Sequence, residues 1–163
     1  MDEKEIRSLI QDWYVVSKQQ RPGSVSNFVF LWICFNARMA FESGKFRDRD
    51  MLEWLKKARH GSELRRSYDQ VMAPLESNFR NDLRTLAGQG AISDPRGGKH
   101  PDVIVSGPED FPNIVEAVYR VRCNLFHGRK RPNDLRDRKL VALCSRILNK
   151  WLGSMVASWS RGH

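Results

Sequence analysis

From Asp134 to Trp159 the apolar residues Leu140, Leu143, Ile147, Leu148, Trp151 and Met155 recur at spacings of three and four. That rhythm puts them on one side of a long helix, and a stripe of such length must be covered by other elements. The remaining chain supplies helices to cover it. Asp2 caps a first helix reaching about Gln20, with Ile6, Leu9, Ile10, Trp13 and Val16 on one face and Pro22-Gly23 as its stop. Ser24 or Ser26 caps a second helix ending at Ser43, where Gly44 suits the left-handed cap. Its run Phe28 to Phe35 is apolar nearly all round, which predicts a central position.

A third helix starts at Asp48 or Asp50 and ends at His60-Gly61, and a fourth, capped by Ser62, runs to about Ala87 with Pro74 kinking or dividing it. Residues 88–110 turn to Gly, Pro and Asp, and only Val103 to Val105 resemble a short strand. Phe111 to Phe126 restore the helical pattern, closed by Gly128 and a basic turn. The expectation is an all-α bundle of four or five main helices, with short additional helices and one long irregular connection, in a single domain over residues 1–163.

Hydrophobic residues at 40% and charged residues at 29% are globular values, against a disordered or fibrous chain. The net charge of +9 is less ordinary, because a field of that sign attracts polyanions, nucleic acid first among them. Charge alone also fits a merely soluble basic domain. Cys34, Cys123 and Cys144 are odd in number and fit reduced core thiols. Met1 to Glu5 form no apolar leader and the longest apolar run is too short for a membrane span, so a soluble cytoplasmic protein without membrane partners is expected.

The sharpest anomaly lies in the segment Phe111 to Phe126. At about 100° per residue, Ile114, Val115, Val118, Val121, Leu125 and Phe126 fall into one apolar arc, and Arg122 lies near its middle. A guanidinium on a buried face needs a carboxylate, an anionic ligand or a wet cleft. His127 follows five residues later, about 140° round an ideal helix, unless the chain loosens before Gly128 and turns the imidazole towards the same cleft. The pair could then flank one phosphate. The plainer alternatives are a surface histidine at a helix C-terminus and an ion pair of Arg122 with Asp12, Glu42 or Asp137.

Val118-Tyr119-Arg120-Val121-Arg122-Cys123-Asn124-Leu125-Phe126-His127-Gly128 resembles the motif-bearing helix of the HEPN superfamily, in which Arg, four residues and His define a ribonuclease site. Trp32, Phe35, Asn36 and Ala37, within Asn27 to Met39, look like the early core helix of such proteins. The resemblance implies a HEPN-like bundle and a metal-independent endoribonuclease that needs no cofactor and cleaves single-stranded or looped RNA through its 2′-hydroxyl. Arg122 and His127 would be the catalytic residues. Imidazole changes charge near neutral pH and suits proton transfer, and a guanidinium stabilises charge developing on phosphate oxygens. The family often carries Asn, Asp or His directly after the Arg. Here Cys123 stands there with Asn124 one place on, so Asn124 takes the supporting role or activity is weakened.

Asn36, the uncharged polar residue in its apolar run, is either a second supporting residue or a satisfied core amide. Arg129, Lys130 and Arg131, with Arg120, are candidate RNA-binding cations, although such a cluster also suits a solvated turn. Trp54, Tyr119 and Trp159 could stack on bases but have core spacing. Cys123 and His127 make a poor metal site without further ligands, and no metal is expected. The kinship further implies a homodimer and a toxin or defence role, with a nucleotidyltransferase-type antitoxin as a possible partner. The alternatives are a non-catalytic RNA-binding and dimerisation module, or a protein-interaction module that meets an acidic partner.

Overall fold

The computed structural model describes residues 1–94, 100–127 and 134–161. Its seven helices are α1 (Glu3–Lys18), α2 (Val25–Ser43), α3 (Asp48–Lys57), α4 (Glu63–Met72), α5 (Asn78–Ala87), α6 (Phe111–Phe126) and α7 (Leu135–Ser160), an all-helical bundle as the periodicity predicts. α7 is the strut. Asp134 caps it by accepting the Asp137 N–H at 2.9 Å, and the stripe from Leu140 to Met155 is buried against α2, α4, α5 and α6.

α1 and α2 pack antiparallel, with Asn27 donating to the Ser17 carbonyl at 2.9 Å, Cys34 facing that of Ile10 at 3.6 Å and Arg38 reaching Glu3 at 2.8 Å. The turn between them is tight because Gly23 has a φ of +78° and sits against α7, where an added Cβ would lie 3.2 Å from that of Ala142. An L side chain there would be strained twice, by the left-handed backbone and by the close approach. α2 begins at Ser24, whose hydroxyl accepts the Asn27 N–H, and ends at Gly44 with φ 62°. It touches α1, α3, α4 and α7, the central position its apolar composition demands.

Pro74 divides rather than kinks the fourth predicted helix: α4 ends at Met72 and α5 restarts under a Ser77 cap, because proline lacks the N–H and crowds the preceding turn. α3 is a turn shorter than expected, since Ala58 turns extended at ψ 144°. The strand expected over Val103 to Val105 is a single antiparallel bridge between Ile92 and Val103, with N–H···O distances of 2.8 and 3.0 Å. No second pair extends it among the described residues, so the connection is anchored by side chains instead.

Trp151 is the centre of the core. Its ring lies 4.9 Å from Phe35, 5.0 Å from Tyr68 and 5.8 Å from Phe111, and its indole N–H donates to the Leu64 carbonyl at 2.8 Å. Tyr119 and Trp159 are core residues too, and Trp54 is packed against the core. All three cysteines are buried thiols outside any disulfide.

At one edge of this core an ionic cluster joins α1, α2, α4 and α7. Arg38, with only 6% of its side chain exposed, contacts Glu3 at 2.8 Å, Glu42 at 2.8 Å and Glu63 at 2.7 Å. Glu42 also accepts from the Ser62 hydroxyl at 2.6 Å, and Glu63 from the Trp159 indole at 2.7 Å. Removing the cation strands two buried carboxylates. Arg38→Ala should therefore lower unfolding free energy by about 3–5 kcal/mol in urea titrations, while Arg84→Ala on the surface should stay within about 0.5 kcal/mol of wild type.

Candidate functional site

α6 runs from Phe111 to Phe126 and buries Ile114, Val115, Val118 and Val121 as the wheel requires. The wheel misplaces two residues at its C-terminal end. Phe126, expected in the arc, is 56% exposed, and Arg122 lies at the edge facing α3 rather than in the middle of the buried face. The guanidinium of Arg122 packs over the Phe126 ring at 4.9 Å from its centroid, so the exposed aromatic is the floor on which the cation rests.

Arg122 is loosely held. Its partner is none of Asp12, Glu42 or Asp137 but Asp48, at the start of α3, 3.4 Å from Nη1. Glu42 is already committed to Arg38. Asp48 lies in the first turn of α3, where a carboxylate also stabilises the helix N-terminus, and its side chain is 34% exposed. The other contact of Nη1 is the Cys123 sulfur at 3.9 Å, and Nε is buried without a hydrogen-bond partner. A guanidinium has five N–H donors, and most of this one's find no acceptor among the described residues. With 27% of the side chain exposed, solvent and anions can reach it.

The fully buried cation of α6 is Arg120, two residues earlier. Only 3% exposed, it bonds Glu116 at 3.2 Å and donates to the carbonyls of Ile92 at 3.2 Å and Pro101 at 2.7 Å. This corrects the expectation that Arg120 binds RNA: Glu116 lies four residues before it on the same helical face, and the two carbonyls use its remaining reach to pin the 88–110 connection to α6. Glu116 also holds Arg49 at 2.8 Å and Lys56 at 2.9 Å, both from α3. Burial alone would raise its pKa, but the hydrogen bonds and charges of Lys56 and Arg49 outweigh that and hold the carboxyl below the ordinary glutamate range.

His127 is the C-cap of α6 and is exposed. Its N–H still bonds the Cys123 carbonyl at 3.0 Å, so it stays on the helical path instead of swinging away at this position. On that path it lies about 140° round from Arg122, and no hydrogen bond joins the two side chains. Gly128 and the proposed RNA-binding residues Arg129, Lys130 and Arg131 lie outside the described residues. Cys123 and Asn124 are buried, and Asn124, two residues on from Arg122, falls about 200° away round the helix.

Asn36 does not join the site either. α2 and α6 run antiparallel, since Trp32 meets Tyr119 at 6.1 Å while Phe35 and Phe111 both pack on Trp151. Asn36 therefore lies towards the beginning of α6 and Arg122 towards its end. The amide of Asn36 is half-buried and its Oδ1 has no hydrogen-bond partner. Around Arg122 the structure thus gathers Asp48, Cys123 and Phe126. Asp48 was legible only as a helix-start signal, because its pairing across α3 and α6 leaves no trace in local spacing.

Among the described residues no group of three or more His, Cys, Asp or Glu side chains is placed to hold a metal ion, and no helix is long and apolar enough to cross a membrane. Comparison with family models, curated proteins and solved structures gives no match to this chain.

The depressed pKa values of Glu116 and of Glu3, where the hydrogen bonds and charges of Arg38 and Arg7 outweigh burial, set an acid limit. Each contributes stability that is complete above the unfolded glutamate value of about 4.3 and disappears as pH falls through the lower folded value. Unfolding free energy should decline on acidification below about pH 5. Glu116→Gln should be less stable at pH 7 and show a shallower decline, read by denaturant titration at several pH values.

Proposed function

We propose that this chain is a metal-independent endoribonuclease of the HEPN type, acting on single-stranded or looped RNA. The observation that carries the reading is the state of Arg122. It is an accessible guanidinium near the end of α6 with few partners among the described residues, ahead of an exposed imidazole at the same helix end, in the spacing that the motif requires.

In this reaction His127 takes the proton of a ribose 2′-hydroxyl. The oxygen bonds to the adjacent phosphorus and the bond from phosphorus to the 5′-oxygen breaks. A proton returns to that leaving oxygen, so the products end in 2′,3′-cyclic phosphate and 5′-hydroxyl. Neither water nor an electron donor is consumed. Arg122 neutralises charge on the non-bridging oxygens, exchanging its loose contact with Asp48 for a bidentate one with phosphate.

Since the two side chains diverge on one helix, a homodimer that sets Arg122 of one copy near His127 of the other, or an RNA bend around the helix end, brings both to one linkage. A toxin or defence role, restrained by a nucleotidyltransferase-type antitoxin, fits a basic domain of this size. The placement of Cys123 and Asn124 away from solvent favours one rival, a module that binds RNA and dimerises without cutting it.

Purified protein in chelator, incubated with labelled single-stranded RNA, should yield cyclic-phosphate ends, and Arg122→Ala and His127→Ala should each reduce the rate by about 10²–10⁴-fold. Equal cleavage by all three proteins would falsify the assignment. Intact RNA bound with a steep salt dependence in all three would establish the non-catalytic rival.

A further inference from the structure

The turn from α1 to α2, the last turn of α6 and the first turns of α7 line a half-open cavity of about 660 Å³. That lies within the range of sites for small molecules and exceeds what packing defects leave in a protein interior. Its walls have two characters. Val25, Leu125 and Leu135 supply an apolar side, and Val25 and Leu135 are more than half exposed although each opens a helix where a polar residue would serve as well. Arg21, Arg138 and Lys139 supply the other side.

These three cations are unspent. Arg38, Arg49, Arg80, Arg120 and Arg146 are all paired with carboxylates, whereas Arg21, Arg138 and Lys139 are exposed and enter no ion pair among the described residues. Asp137 is the acidic residue among the described residues of the lining. Three cations against one acid leave the mouth positive. α2 and α7 both start there, and their first-turn N–H groups add to the same field. An apolar pocket with a cationic rim fits a ligand with a flat apolar body and attached anions.

The place of the cavity narrows the choice. Leu125 lies within the motif, three residues after Arg122 and so about 60° from it round the helix. A strand whose phosphate rests on Arg122 has the cavity on the neighbouring face of the same helix end. The geometry points to a nucleoside subsite: one base of the RNA, splayed out of its stack, sits against Val25, Leu125 and Leu135, and its phosphates meet Arg21, Arg138 and Lys139. This rests on the ribonuclease reading above and adds how the strand is held. It also accounts for a preference for single-stranded or looped RNA, since a paired base cannot leave its helix without cost.

The test uses adenosine 5′-monophosphate and a labelled single-stranded RNA on the intact protein. Val25→Trp fills the cavity from an exposed position, and Arg138→Glu with Lys139→Glu reverses the rim on an exposed helix face. Each variant is first matched to wild type by circular dichroism. Both should weaken nucleotide binding about tenfold or more in calorimetry and raise the KM for RNA by a similar factor, with kcat within about twofold. His127→Ala should bind the nucleotide as wild type does.

If RNA is cut in a His127-dependent way but the cavity variants bind and cleave as wild type, the subsite is wrong and the ribonuclease reading stands. If no RNA is cut yet nucleotide binding depends on Val25 and the rim, the subsite stands and the ribonuclease reading fails. Decanoate binding in the cavity with no binding of the nucleotide would overturn the subsite in favour of a lipid anion.

Discussion

The carboxylate of Glu116 organises the α3–α6 side of this molecule. Buried in the middle of α6, it cannot remain charged without partners, and it gathers three: Arg49 and Lys56 from α3 and Arg120 from its own helix. Those bonds fix α3 against α6. Through Arg120 they also tie the irregular connection to the helix at Ile92 and Pro101. With Arg49 laid over Tyr119 at 5.3 Å, the α3–α6 seam is set, and the start of α3 stands beside the end of α6. Asp48 and Arg122 are neighbours because Glu116 has already placed their helices.

The two ionic clusters share charge differently. Around Arg38 the carboxylates outnumber the cations: Glu3, Glu42 and Glu63 face Arg38 and Arg7. Backbone N–H groups of Glu63 and Leu64, the Ser62 hydroxyl and the Trp159 indole complete the bonding there. Around Glu116 the balance is reversed, with three cations on one buried carboxylate and Glu53 at the rim. The first cluster closes the bundle and uses up its charges. The second leaves positive charge over at the α3–α6 seam, next to the residue proposed to meet phosphate.

Helix positions were legible in the sequence because their causes are local. Asp2 and Ser62 cap the helices their positions predict, Ser24 rather than Ser26 caps α2, Gly44 ends α2, and Pro74 interrupts its segment, each through hydrogen bonds or sterics within a few residues. The identity of the buried arginine was not legible. A helical wheel sets Arg120 about 200° round α6 from Arg122, off the apolar arc, and cannot know that α3 will present Arg49 and Lys56 to Glu116, drawing Arg120 inward, while the α3 start leaves Arg122 at an edge. The short strand failed for a related reason: Val103 found one partner in Ile92, and the surrounding carbonyls were taken by the side chains of Arg120 and Arg136.

The looseness of Arg122 is a physical consequence of where its partner lies. Asp48 serves two positive fields at once, the guanidinium and the N-terminus of α3, and at 34% exposure it can be solvated instead of either. Under the proposed function, an incoming phosphate would meet a cation whose present contact is easily broken, and the displaced carboxylate would keep a stable environment at the helix start. Arg120 has no such freedom, because releasing it would uncover Glu116 and unpin the connection. Two arginines of the same helix, two residues apart, are thus divided between holding the fold and standing accessible at its edge, and what divides them is which carboxylate can be left behind at little cost.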